Sequence, residues 1–407
     1  MNTQPTRPGQ RSGRWLNRTV LGIGLASLFS DWSHEIATTV MPAFLTTLGV
    51  AAAWLGVIEG VADGLSSFAK LASGFYTDRL RRRKPIAVAG YVVTALGTAS
   101  FGLASSAWHI LVSRSVAWLG RGTRTPVRKA LLAGSVDGAA LGRAFGFERM
   151  MDTLGAIVGP ASAFVLLSAT GGDFRLLFAL TLIPGLMAAA LIASLVKEEE
   201  RKPVPHLSFA RSLASLPPVF RRFLVAVGLF GMGDFAHTML ILLAAQKLTP
   251  LLGEVGAASA ATGLYLLHNV FYASFAFFTG WLADRFDKRR LLAAGYGLAL
   301  AMAVAIIFLP LNLWTLALIF VLGGIYVAAE ETLEDSLCAE LVAESQHGMA
   351  FGTLATVNGI GDFASSVVVG FLWTFLGTGA AFGYSAVLFL SGSWMVWRMR
   401  KGARPAP

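Results

Sequence analysis

A single cysteine, Cys338, excludes an intrachain disulfide framework. Charge is scarce too: Asp, Glu, Lys and Arg make up 14% of the 407 residues, where a soluble domain carries roughly 25%. No phosphate loop, nucleophile constellation or nucleic-acid motif is present, and no segment is large enough for a soluble catalytic or effector domain. Enzymes, signalling proteins and nucleic-acid binders are set aside on those grounds. What fills the chain is hydrocarbon. Hydrophobic residues make up 55% and the mean hydropathy is +0.64. Apolar runs of about 18 or more residues, separated by short polar breaks, read as membrane spans.

Twelve such spans are expected, at about 18–48, 53–76, 85–107, 109–133, 143–168, 174–196, 222–247, 257–282, 290–310, 313–342, 347–374 and 379–397. The class is therefore an all-α membrane protein. Residues 1–17, rich in Pro, Gly, Gln and Arg, read as a disordered tail. The apolar run that follows continues past Asp31, His34 and Glu35 without a small-residue cleavage site, unlike a signal peptide. Lys and Arg fall on one side, at residues 7–18, 79–84, 143, 197–222, 285–290 and 398–404, whereas Arg175 and Lys247 fall on the other. This asymmetry accounts for the net charge of +10 without nucleic acid and predicts a plasma (inner) membrane protein with both termini cytoplasmic.

The second half repeats the first. Gly74-Phe75-Tyr76-Thr77-Asp78-Arg79 returns as Gly280-Trp281-Leu282-Ala283-Asp284-Arg285, an offset of 284 − 78 = 206, and Ala144-Phe145-Gly146 returns as Ala350-Phe351-Gly352. So long a period means a duplicated half-molecule rather than a solenoid. The chain divides into a bundle of six helices at 18–196, a cytoplasmic linker at 197–221 with an amphipathic stretch, a second bundle at 222–397 and a tail at 398–407.

Charge inside the spans points to the function. Asp31-Trp32-Ser33-His34 is matched by Asp234-Phe235-Ala236-His237 in the seventh span. Asp31 lies roughly 20 Å along a helix from Arg18, and Asp234 roughly 18 Å from Arg222, so both pairs are expected near mid-membrane. A spacing of i, i+3 would place each acid and its histidine on one helix face. The second span carries Glu59, Asp63 and Lys70, and its partner helix offers Tyr265 and Asn269 at the equivalent level, with His268 nearby. The fourth span presents Arg114, Arg121, Arg124 and Arg128 on one face. The tenth answers with Glu330, Glu331, Glu334 and Asp335 at positions equivalent to Arg124, Thr125, Arg128 and Lys129. Asp152 in the fifth span aligns with Asn358 in the eleventh. An isolated charge at the bilayer centre costs about 2.5–3.5 kcal/mol on insertion scales, so these groups must face one another or water. Structural neutralisation and transport remain alternative readings of them.

The repeated Gly-x-x-x-Asp-Arg loops, the twelve spans and the mid-chain linker resemble the major facilitator superfamily of secondary transporters over essentially the whole chain. Arg81 and Asp287 stand where that family usually has a second glycine. The resemblance implies two pseudo-symmetric six-helix bundles that rock about a central cavity, with Asp78 and Asp284 latching the cytoplasmic side through a neighbouring helix N-terminus and arginines. Gly74, Arg79, Gly280 and Arg285 complete these gating loops. Gly155-x-x-x-Gly159-Pro160 resembles the first half of the motif of the family's proton-coupled antiporters, although Ala163 and Phe164 replace the closing glycines and close helix packing would need the same residues.

The leading expectation is a proton-coupled exporter of a small polar or amphipathic compound, without cofactor and driven by a proton gradient, working in the lipid bilayer as a monomer. Its cavity would be built from Asp31, His34, Glu35, Glu59, Asp63, Arg114, Arg121, Arg124, Asp152, Asp234, His237, Asn269, Glu330 and Asn358, with Asp31, Glu59 and Asp63 exchanging protons and His34 as relay. Two alternatives stand beside it. Asp31, His34, Asp234 and His237 could converge on a divalent transition metal as cargo. Alternatively, Arg114, Arg121 and Arg124 could hold an organic anion.

Overall fold

In hydrocarbon every backbone N–H and C=O needs a partner within the chain, which leaves helices for long apolar segments. A computed structural model describes residues 14–49, 52–198, 200 and 208–399, and the described residues form helices without strands. Most of the expected N-terminal tail (1–13), part of the linker (199 and 201–207) and the final residues (400–407) lie outside the described residues, as does the side chain of Glu59.

The first half comprises α1 (Arg18–Thr47), α2 (Ala52–Thr77), α3 (Lys84–Ala99), α4 (Ala107–Ala133), α5 (Leu141–Ala169), α6 (Phe174–Leu180) and α7 (Leu182–Leu195). The linker carries α8 (Phe209–Ala214). The second half follows with α9 (Pro218–Gly231), α10 (His237–Ala283), α11 (Lys288–Phe308), α12 (Leu313–Leu341), α13 (His347–Leu376) and α14 (Thr378–Trp397). These elements make twelve membrane crossings in two pseudo-symmetric bundles of six.

Three spans depart from continuous helices, each for a local reason. The sixth divides at Thr181, because Pro184 has no N–H to offer the Leu180 carbonyl; Ser33 Oγ on α1 donates to the Thr181 carbonyl at 2.8 Å. The loop expected between 247 and 257 is instead helix on both sides of a reversal at Gly253, whose φ of 70° suits a residue without Cβ. The seventh span breaks at 232–236, so Asp234 and His237 do not share a helix face as their spacing predicts. Gly231 and Gly233 weaken the helix there. Serines of α13 take up the freed backbone groups: Ser365 Oγ donates to the Asp234 carbonyl, and Ser366 Oγ accepts from the Ala236 N–H at 3.3 Å. Broken backbone at membrane depth is tolerated where protein re-satisfies it, typically beside a cavity.

The ends of the described chain, Arg14 and Met399, lie at the same end of the bundles. There Asn17 donates to the Ser135 carbonyl, the Arg83 N–H to Glu198, and Arg289 to the Met399 carbonyl. At that end the halves touch reciprocally, as a two-fold relation requires. Gly74 on α2 abuts Gly348 on α13, and Gly142 on α5 abuts Gly280 on α10, where an added Cβ would strike the opposing carbonyl. Phe145 and Phe351, equivalent by the offset, meet with ring centroids 5.7 Å apart. Trp15 seats between Phe147 of one half and Phe277 of the other, at 6.1 and 5.7 Å. The seal is backbone against backbone, extended by aromatic rings.

Candidate functional site

Asp78 and Asp284 sit at the sealed end in matching roles. Asp78 accepts from the Gly348 and Met349 N–H groups at the N-terminus of α13, at 3.0 and 2.7 Å, and pairs with Arg83. Asp284 accepts from the Gly142 and Arg143 N–H groups of α5, at 2.8 and 3.2 Å, and from Arg143 Nε at 2.6 Å. Each carboxylate thus caps a helix of the opposite half, where the orphan N–H groups and helix dipole favour an anion. The guanidinium groups of Arg79 and Arg285 lie over Phe75 and Trp281, at 3.8 and 3.7 Å.

Above the seal, ion pairs cross the seam. Lys129 Nζ lies 2.7 Å from Asp335, its own equivalent at the 206-residue offset, which places the pair on the pseudo-two-fold axis. Arg149 lies 2.9 Å from Glu331, 3.1 Å from Asp152 and 3.9 Å from Asp335. Glu331 also accepts from the Tyr272 hydroxyl. Arg149 is eight residues into α5, roughly 12 Å from its start, so this charged floor lies well inside the bundle.

Over the floor is a cavity of about 560 Å³ walled by both halves. Of the expected site residues, Asp31, Arg121, Arg124, Asp152, Asp234, His237, Glu330 and Asn358 line it. The arginine face of α4 meets a different partner at each turn. Arg114 stacks over Trp118 at 3.7 Å and reaches the Thr38 hydroxyl at 3.4 Å. Arg121 pairs with Asp31 at 3.1 Å. Arg124 donates to Ser30 at 2.6 Å and lies 3.9 Å over Tyr91, whereas Arg128 is held by Glu148 at 2.8 Å and Asp152 at 3.6 Å. In the other half, Asp234 accepts from the Tyr326 hydroxyl at 2.8 Å and lies within hydrogen-bonding reach of Glu330. Glu334 is tied to Tyr296 at 2.5 Å and Asn358 at 2.8 Å, not to an α4 arginine.

Several expected residues sit elsewhere. His34 packs at a tilt against Trp118, with centroids 4.6 Å apart and Glu35 3.8 Å from its Nε2. Asp63 accepts from the Trp118 indole at 2.7 Å rather than from an arginine. Asn269 donates back to the Tyr265 carbonyl at 3.1 Å. The four-ligand metal arrangement does not form: among the described residues no group of three or more His, Cys, Asp or Glu side chains is placed to hold a metal ion. Asp31 is committed to Arg121, and the break at 232–236 turns Asp234 toward Tyr326. His237 faces His268, at 4.8 Å between centroids.

Sequence reasoning also missed residues. Arg149, the hub of the floor, was signalled by Glu148-Arg149 and Asp152 clustered within an apolar span. Lys70, Lys129 and Glu331, noted in the sequence as charges within the spans but not assigned to the cavity, line it as well, as does Asp362.

Two six-helix bundles with a polar cavity at their seam are the architecture of a membrane transport protein. Family comparison agrees. The family model described as Major Facilitator Superfamily matches residues 23–249 and again 223–407, so the chain belongs to that superfamily. It is 26% identical to an uncharacterised MFS-type transporter of Methanocaldococcus jannaschii, covering 91% of this chain and 92% of that one. It is 28% identical to the multidrug resistance protein MdtH of Shigella boydii, covering 76% of each. Among solved structures, the Escherichia coli fucose:proton symporter FucP superposes with a TM-score of 0.75 at 17% identity, covering 95% of this chain and 100% of that one.

Proposed function

We propose that this transporter works by alternating access as a proton-coupled exporter of a small polar or amphipathic compound, with the termini-bearing end facing the cytoplasm. The observation that carries the reading is the floor of ion pairs across the seam, Lys129–Asp335 and Arg149–Glu331. These pairs hold only while the two halves are together at that end. A proton that reaches Glu331 or Asp335 from the cavity while that end is shut neutralises the carboxylate in a setting of low polarity and frees its cation, so the pairs across the seam fall and the halves part. With that end open to the cytoplasm the proton leaves, and the recharged carboxylates draw their cations back and reclose the seal, so each cycle carries protons inward, as export requires. Protonation of the floor and opening of that end are thus coupled.

The basic residues gathered at the termini-bearing end support the orientation. The relation to a multidrug resistance protein supports export.

The test uses everted vesicles carrying the full chain, with an imposed pH gradient followed by a pH-sensitive dye. Compounds are taken from those against which the protein protects growing cells. A transported compound should dissipate the gradient in the wild type, and the Glu331→Gln/Asp335→Asn variant should lose at least about tenfold of that response (on the order of 1.4 kcal/mol). Transport that continues unchanged after an ionophore collapses the gradient would refute proton coupling.

A further inference from the structure

The cavity walls are unequal in charge, and the imbalance follows the seam. The first half lines the cavity with Lys70, Arg121, Arg124, Arg128, Lys129 and Arg149, against the carboxylates Asp31 and Asp152. The second half lines it with Asp234, Glu330, Glu331 and Asp362 and contributes no Lys or Arg among the described residues. The ion pairs remove most of these charges from consideration: Arg121 goes to Asp31, Arg128 to Glu148 and Asp152, Lys129 to Asp335, and Arg149 to Asp152 and Glu331.

Two cations and three carboxylates are left over. Arg124 is 2% exposed, its Nη2 bonds to a serine hydroxyl, and its Nε and Nη1 have no hydrogen-bond partner within the protein. A guanidinium so buried normally has its donors satisfied, which marks a place for an acceptor. Lys70 faces Asp362 across the seam without an ion pair at 4 Å. On the acidic wall, Asp234 and Glu330 neighbour each other and Tyr326, and Asn358 Oδ1 and His237 Nε2 beside them also have no partner within the protein. A single-charge ligand would satisfy one wall and leave the other uncompensated.

We propose that the compound carried is a small zwitterion, its anionic group held by Arg124 and Lys70 and its ammonium group by Asp234, Glu330 and Asp362. A carboxylate or phosphate accepts from the planar guanidinium fork, and an ammonium offers three donors to the opposite wall. The inference rests on the transporter reading above and narrows its substrate class. Such a ligand also draws the walls together, because only in the closed cavity are both of its charges met.

The experiment measures thermal unfolding of the detergent-purified full chain with matched probes. These are the straight-chain ω-amino acids of three to eight carbons, together with fatty acids, alkylamines and alkylamides of the same lengths. At least one ω-amino acid should raise the unfolding midpoint more than all its same-length analogues, as a ligand of the folded state must. Arg124→Gln and Asp362→Asn should each weaken its apparent affinity by about tenfold or more, while Arg124→Lys, which keeps the charge, should retain part of it. Equal stabilisation by an amine or an acid alone, or by no probe in the series, overturns the proposal. So does an ω-amino acid effect that survives both neutralising variants. The vesicle assay reads proton coupling independently, so a wrong substrate class and a wrong coupling reading give different results.

Discussion

At the scale of single residues, most charges at the seam meet a partner of opposite sign. Arg149 illustrates it, because one guanidinium serves Asp152 in its own half and Glu331 and Asp335 in the other. Removing one member of a buried pair costs about 3–5 kcal/mol, since it strands the partner rather than merely losing an attraction. Arg149→Gln should therefore lower the thermal unfolding midpoint clearly, and Arg149→Gln/Glu331→Gln should recover part of the loss by removing the stranded carboxylate. A double variant no more stable than the single would mean that Arg149 acts by packing alone. Asp31 conforms as well, paired with Arg121 at 3.1 Å.

At the scale of helices, the sealed end depends on backbone contact that side chains would prevent. Gly142 and Gly280 are close enough that a Cβ on either strikes the other's carbonyl. Overpacking of this kind costs about 1–3 kcal/mol, enough to move a closed–open equilibrium by about tenfold. Gly142→Leu should accordingly raise amide hydrogen exchange about tenfold at the Gly142 and Arg143 N–H groups that Asp284 holds in the closed form. Unchanged protection would show that this contact does not set the seal. The helices were legible in the sequence because hydrocarbon permits little else for long apolar runs. The duplication was legible because the Gly-x-x-x-Asp-Arg loops survive in both halves. The break at 232–236 was not, because its causes lie partly elsewhere in the chain: Ser365 and Ser366 of α13 satisfy what Gly231 and Gly233 release. Periodicity alone therefore placed Asp234 and His237 on one face. The arginine face of α4 was readable, but its partners were not, since a spacing of 7, 3 and 4 says which side chains align and nothing about what they meet.

At the scale of the whole molecule, the closed end is built from reciprocal parts. Asp78 caps α13 as Asp284 caps α5, Gly74 meets Gly348 as Gly142 meets Gly280, and Lys129 meets its own equivalent Asp335 on the axis. A seal of this symmetry can be released by rotating one half against the other, without refolding either. The cavity above it, basic on one wall and acidic on the other, sits where such a rotation would open or close it. The account therefore turns on whether the halves separate at this end. Leu80 and Phe286 are equivalent by the 206-residue offset, exposed at 38% and 61%, and stand on opposite halves there. With Cys338→Ser removing the lone native thiol, spin labels at Leu80→Cys and Phe286→Cys can report their separation by pulsed electron resonance in nanodiscs. The account predicts a short distance matching the sealed form and a second, longer one whose share grows when Arg149→Gln or Asp335→Asn breaks the floor. A single distance, unmoved by either substitution, would contradict it.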